Sequence, residues 1–302
     1  MRKGNSDVRR FVEITVITLT RMRGHIFIAF AIDLDMWPSA VSRACGDDSL
    51  SRRLSELSDL EQAMQALLDL FQRYAIRTTW FICDRVTKML PLQDIVVRGH
   101  EIGVRGPTQT DSSRVEGLRP GERLDELISV ITRLCGRAPL GYTAPLVGAW
   151  QFSSADIENR GLSYELTAAY RGHACGCIRI GRGWYLVDEK AGQPWRREVE
   201  RDHSSLTKIP TNWFIEELPL ELYFRHFPGH QGAPSLRDAE TAWRAQLDFL
   251  RRDSFASNIT IRIHPFAARQ TSTLLLLEKW IEYALLGDGA RFITCEQLAR
   301  SC

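Results

Sequence analysis

The stretch Ile26 to Ile32, IFIAFAI, is unbroken by any polar residue and rich in aromatic and branched side chains, as expected of a strand buried on both faces. It runs into Asp33-Leu34-Asp35. Over residues 50 to 75 the apolar positions recur three and four apart, at Leu54, Leu57, Leu60, Met64, Leu67, Leu68 and Phe71, which predicts a long helix leading to a second strand at Arg77 to Ile82. The alternation continues with a short helix near 91–98, a strand at 101–104, a helix at 121–134, a strand at 140–144, a helix near 151–160 and a strand at 162–166. Periodicity then fails from 167 to 205, an arginine- and glycine-rich excursion in which a hairpin is predicted around Ile178 to Val187. It returns with a strand at Leu206 to Trp213, a helix from Ser235 to Arg252, a strand at 258–263, a helix at 272–286 and a terminal strand at 291–294.

About seven strand–helix pairs with no Pro/Gly/Ser-rich linker between them predict one α/β domain, a parallel barrel of the (β/α)7 type. The predicted organisation is an N-terminal extension over residues 1–23 and a single domain over 24–302. Met22-Arg23-Gly24-His25 directly precedes the first strand, and Met22 is the expected native start. The run Phe11 to Leu19 is interrupted by Glu13 and followed by no small-residue cleavage site, so no signal peptide is expected.

Composition narrows the class. Hydrophobic residues make up 44% of the 302 and charged residues 25%, an ordinary globular balance, and 39 basic against 37 acidic residues give +2, too small an excess for a phosphate-backbone binder. No stretch is apolar for the eighteen or so residues a spanning helix needs; Leu274 to Leu286 is broken by Glu278, Lys279 and Glu282. Neither nucleic acid nor a membrane is an expected partner. Seven scattered cysteines, an odd number in a chain this large, fit a reducing, cytoplasmic setting better than a disulfide framework.

Chemistry in such folds gathers at the carboxyl ends of the strands. Asp33 and Asp35 stand two apart there, on one side of an extended chain, where two carboxylates share a cation or displace each other's pKa; a helix cap or turn is the plainer alternative. His264 closes the strand Ile259 to Ile263, which barrel closure is expected to bring to the wall opposite Asp33, and a lone histidine at such a place is more often structural than functional. His100, at the start of the third strand, is expected to pack against the barrel bottom. His173, Cys175 and Cys177 offer soft ligands at alternate positions, but lack the paired spacing of a zinc site, and two free loop thiols are the expected reading. The aromatic residues at 184–195 and Trp213 suit either a ring-binding cleft or packing.

The order of these pieces resembles the polysaccharide deacetylase family (NodB homology, carbohydrate esterase family four), particularly the branch that also contains metal-independent allantoinase-like members. The resemblance rests on Ala31-Ile32-Asp33-Leu34-Asp35, Arg77-Thr78-Thr79-Trp80-Phe81, Arg98-Gly99-His100-Glu101-Ile102-Gly103, Gly136 with Gly141-Tyr142-Thr143-Ala144-Pro145, Ile209-Pro210-Thr211-Asn212-Trp213, and Ile263-His264-Pro265 with Phe292-Ile293-Thr294, over about residues 24–300. It implies a distorted barrel of the deacetylase kind, with Asp33 as general base, Asp35 as a metal ligand, His264 as acid, and a pair of histidines four apart completing the metal site. Here Arg105 and Gln109 stand at the histidine positions, and Thr143 stands where the family's base-orienting arginine would precede the Ala-Pro step. Arginine keeps its proton and glutamine is a poor ligand, so Asp35 is left as a weak site, no cofactor is expected, and a zinc-type divalent ion is the remaining alternative. A guanidinium at Arg105 is expected either to fill the vacated pocket by pairing with Asp33 or Asp35, or to bind substrate. Thr143, Asn212 and Trp213 are the other candidates for substrate contact. The resemblance implies a hydrolase of a non-peptide carbon–nitrogen bond in a small amide or amino-sugar-like substrate; an inactive, binding or regulatory member of the fold is the rival.

Overall fold

In β1 (Ile26–Leu34) the two side-chain faces enter different cores. Ile28, Phe30, Ile32 and Leu34 join the large apolar layer beneath the helices, whereas Ala29 and Ala31 belong to a separate interior cluster with Phe81, Tyr164, Leu166 and Ile209. Two cores on opposite faces of one sheet require the sheet to curl on itself. The computed structural model describes residues 26–35, 50–107, 119–145, 152–169, 183–186, 195–198, 205–212, 236–252, 257–287 and 289–301.

β1 is followed by α1 (Leu50–Arg73), β2 (Thr79–Ile82), α2 (Gln93–Val97), β3 (Glu101–Arg105), α3 (Pro120–Cys135), β4 (Gly141–Thr143), α4 (Ser154–Glu158) and β5 (Tyr164–Ala169). After the hairpin strands β6 (Gly183–Leu186) and β7 (Trp195–Glu198) come β8 (Thr207–Asn212), α5 (Leu236–Arg252), β9 (Ser257–Ile263), α6 (Thr271–Leu285), β10 (Ala290–Phe292) and α7 (Cys295–Ser301). Parallel pairing runs β1-β2-β3-β4-β5-β8, and β9 pairs with the other edge of β1 while lying against β8. The result is the expected single α/β domain: a nearly closed, parallel seven-stranded barrel flanked by helices, with β10 as a short extra strand beside the start of β1. Among the described residues no helix is long and apolar enough to cross a membrane.

Narrow barrels need small residues where large ones point inward. A Cβ at Gly103 would meet the Phe81 ring at 2.6 Å, and one at Gly141 would collide with the Tyr164 ring, so these two glycines make room for the two aromatics. Gly136 ends α3 in the left-handed conformation, φ 69°, as helix C-termini favour.

Two elements differ from expectation. The hairpin of the 167–205 excursion is formed by residues 183–186 and 195–198, antiparallel, rather than lying within Ile178 to Val187. The sequence pattern also misses α7, which closes the barrel bottom by sending Cys295 and Leu298 into the interior cluster. It is anchored by Glu101, a buried carboxylate that accepts bonds from the Thr79 hydroxyl (2.7 Å), the Tyr164 hydroxyl (2.5 Å) and the Glu296 backbone N–H (3.0 Å). Burial pushes the Glu101 pKa up, against these donors. His100, as expected, packs at this end, edge-on to Phe71 and Trp80, with Nδ1 accepting the Thr78 N–H at 3.0 Å.

Candidate active site

Strand parity continues from the interior cluster into the site. Ala29 and Ala31 face inward on β1, so Asp33 and Asp35 do too; on β9 Ala31 pairs with Arg262, which places Arg262 and His264 on the same inner face. Asp33 pairs in register with Phe81 of β2, and Arg105 with Thr143 of β4. The upper mouth of the barrel therefore collects two carboxylates, two guanidiniums and an imidazole, all buried: Asp33 is 1% exposed, Asp35 8%, Arg105 6%, Arg262 5% and His264 3%.

One carboxylate oxygen takes most of the positive charge. Arg262 donates to Asp33 Oδ2 through Nε (2.8 Å) and Nη2 (2.5 Å), and through Nη2 to the Ala144 carbonyl (3.0 Å). Arg105 Nε stands 3.5 Å from the same Oδ2, while Arg105 Nη1 bonds Asp35 Oδ2. Cys83 donates its thiol to Asp35 Oδ1 at 3.0 Å. Asp33 Oδ1 has no hydrogen-bond partner among the described residues.

These contacts set the protonation states. Burial opposes the charge on Asp33, but Arg262 and then Arg105 overcome it and hold the carboxyl below its ordinary pKa. Burial would also strip the proton from Arg105, yet Asp35 and Asp33 bind it more firmly. Burial, reinforced by the Asp35 charge, pushes the Cys83 thiol well up, so it is a neutral donor. Burial pushes His264 down to about 4, the pull of Asp35 notwithstanding, and its imidazole is neutral at pH 7.

The metal that the resemblance implies does not fit these residues. Asp35 spends both oxygens on Arg105 and Cys83, the cation's place beside the two aspartates is held by a guanidinium, and among the described residues no group of three or more His, Cys, Asp or Glu could hold an ion. Gln109 and Trp213 lie outside the described residues, as do residues 1–25 and His173, Cys175 and Cys177. Asn212 ends β8, paired with Ala169. Thr143 is fully buried beside Arg105.

Two expectations need correction. His264 does not stand on the wall opposite Asp33; β9 is hydrogen-bonded to β1, because closing a parallel barrel brings a late strand against the first. Nor is an arginine on Asp33 absent: Arg262 supplies it from β9 although Thr143 occupies the position on β4. The signal was legible, since Arg262 alternates with Ile259, Ile261 and Ile263 in a strand buried on both faces, where an inward charge must find a partner.

No family model matches the chain. It is 26% identical over 285 residues to a peptidoglycan deacetylase of Helicobacter pylori, a match covering 92% of this chain and 96% of that one. It is likewise 26% identical over 306 residues to a peptidoglycan deacetylase-like protein of Gibberella zeae, covering 93% and 88%. Among solved structures it superposes on the Puue allantoinase with a TM-score of 0.65 at 17% identity, covering 91% of this chain and 89% of that chain. A probable polysaccharide deacetylase from Pseudomonas aeruginosa gives 0.65 at 16% identity, covering 91% and 90%. At these identities the structural likenesses show the fold alone.

Proposed function

We propose that the chain is a divergent homologue of the NodB-type polysaccharide deacetylases and hydrolyses a non-peptide carbon–nitrogen bond in a small amide or amino-sugar-like substrate, a reading supported by its likeness to two peptidoglycan deacetylase sequences. The observation that carries this reading is the buried Asp33, one oxygen clamped by guanidinium and the other without a partner, at the mouth where barrel chemistry occurs. In this reading Asp33 Oδ1 takes a proton from the attacking water as its oxygen bonds to the amide carbon. Arg105, or backbone donors, steady the negative charge on the carbonyl oxygen. His264 is neutral at pH 7, so it relays the proton rather than starting as a charged acid: one ring nitrogen receives it as the other gives its own to the departing nitrogen. Cys83, Cys135 and Cys295 are free thiols, which agrees with a reducing, cytoplasmic setting.

A carboxylate held below its usual pKa is a weak base, and a guanidinium is a milder electrophile than a metal. Both favour a strained ring amide over an unactivated acetamide. The test is amine or acid release from a six-membered cyclic imide and from N-acetylglucosamine oligomers, with and without EDTA. Turnover is expected that resists the chelator and falls about a hundred- to ten-thousand-fold in Asp33→Asn and in His264→Ala. The saturation of Asp33 Oδ2 favours a second reading, a binding protein without turnover. Tight calorimetric binding of a probe that is never cleaved would establish it.

A further inference from the structure

The contacts on Asp33 are asymmetric in a way that charge balance alone does not require. Two of the Arg262 nitrogens converge on Oδ2 and none reaches Oδ1. An arginine that merely neutralised the carboxylate would gain most from the parallel two-oxygen fork. The second Nη2 hydrogen holds the Ala144 carbonyl, which ties the guanidinium to the segment just after β4. Arg262 thus connects β9, β1 and the end of β4, three parts of the wall, and fixes the rotation of the Asp33 carboxylate from outside. From this geometry we infer that Arg262 is the positioning residue of the site: it clamps Asp33 Oδ2 and presents Oδ1 as the acceptor for the reacting hydrogen.

Arg105 does not do the same work. Its short bond is to Asp35, and its approach to Asp33 is a longer 3.5 Å contact through Nε. A buried carboxylate oxygen with no partner is costly unless a water or substrate hydrogen meets it, and this is the orphan that Arg262 leaves in the site. The inference deepens the hydrolase reading and rests on it only for what Oδ1 meets.

Two readouts test it, one independent of turnover. In Arg262→Lys the charge stays but the paired Nε and Nη2 bonds to Oδ2 are lost, so the variant is expected to fold. Its crystal structure should show the β1–β9 register kept and the Asp33 carboxylate turned from its parent orientation. With the cyclic imide probe, Arg262→Lys should lose about a hundredfold in kcat with KM within about threefold, as misplacing a reacting group by about 1 Å does. Arg262→Gly should regain part of its kcat in added ethylguanidinium, which a purely structural role would not produce. An unturned Asp33 in Arg262→Lys, or a loss confined to KM, overturns the inference. A parent without turnover instead overturns the hydrolase reading, and the Asp33 orientation then decides the positioning role alone.

Discussion

Arg105→Ala tests whether a guanidinium truly stands in for a cation between the two aspartates. The residue is 6% exposed, so its removal leaves a void rather than a hydrated surface, and the carboxylates respond differently. Asp33 keeps Arg262 on Oδ2, whereas Asp35, 8% exposed, retains among the described residues the Cys83 thiol. Removing one partner of a buried ion pair costs about 3–5 kcal/mol, because the other charge stays buried and uncompensated. Asp35 lies near the barrel mouth, where water can enter the void, so the lower end, about 3 kcal/mol, is expected. At roughly 2–4 °C per kcal/mol for a chain of this order of size, Tm should fall by about 6–12 °C. Urea unfolding at pH 7 should show the same loss with an unchanged m-value. That pH is the right one for Asp33: its folded pKa is depressed, so its contribution is complete above the unfolded carboxylate value of about 3.9 and is lost as pH falls through the folded value. Adding Asp35→Asn should recover part of the loss, since the stranded charge goes with it. Arg105→Ala within about 0.5 kcal/mol of the parent would refute the filled-pocket account.

Other outcomes follow from the barrel bottom and its interior. Burial, with Arg98 and Arg77, lowers the His100 pKa from 6.5 to about 4, so stability should be full above pH 6.5 and decline as pH falls toward 4, by about 2–3 kcal/mol; His100→Asn should flatten that slope in urea titrations. Gly103→Ala forces a methyl to within 2.6 Å of the Phe81 ring and should cost about 1–3 kcal/mol without altering the m-value. Glu101→Ala removes the acceptor for the Glu296 N–H and should raise amide exchange across residues 295–301 ahead of the strands, a difference that hydrogen-exchange mass spectrometry resolves.

The barrel and its polar mouth were legible because strand parity is a local property. Once IFIAFAI is a strand, Ala29, Ala31, Asp33 and Asp35 must share a face, and the structure puts that face inside. Which strand neighbours which is not local, and for that reason His264 was expected across the barrel rather than beside Asp33. The family pattern points to Thr143 for an arginine, whereas Arg262 reaches Asp33 only through the pairing of β9 with β1. The helix α7 offers only Cys295, Leu298 and Ala299 as an apolar stripe, one turn, too little for periodicity to separate it from a tail.

The pair between Asp33 and Arg262 joins residues 229 apart in sequence, and it also sets an order of events during synthesis. On the ribosome Asp33 emerges with the first barrel strand, but the guanidinium that makes its burial tolerable is translated only after β2 through β8. Until then the carboxylate must stay hydrated, although β1 already pairs through Ala31–Leu34 with β2. Contacts of such long sequence separation form late, so the mouth of the barrel cannot close before β9 has been made. A nascent chain stalled before residue 257 would expose an unpaired edge of β1, the sort of surface that chaperones hold, and would carry both aspartates without the arginine that orients one of them.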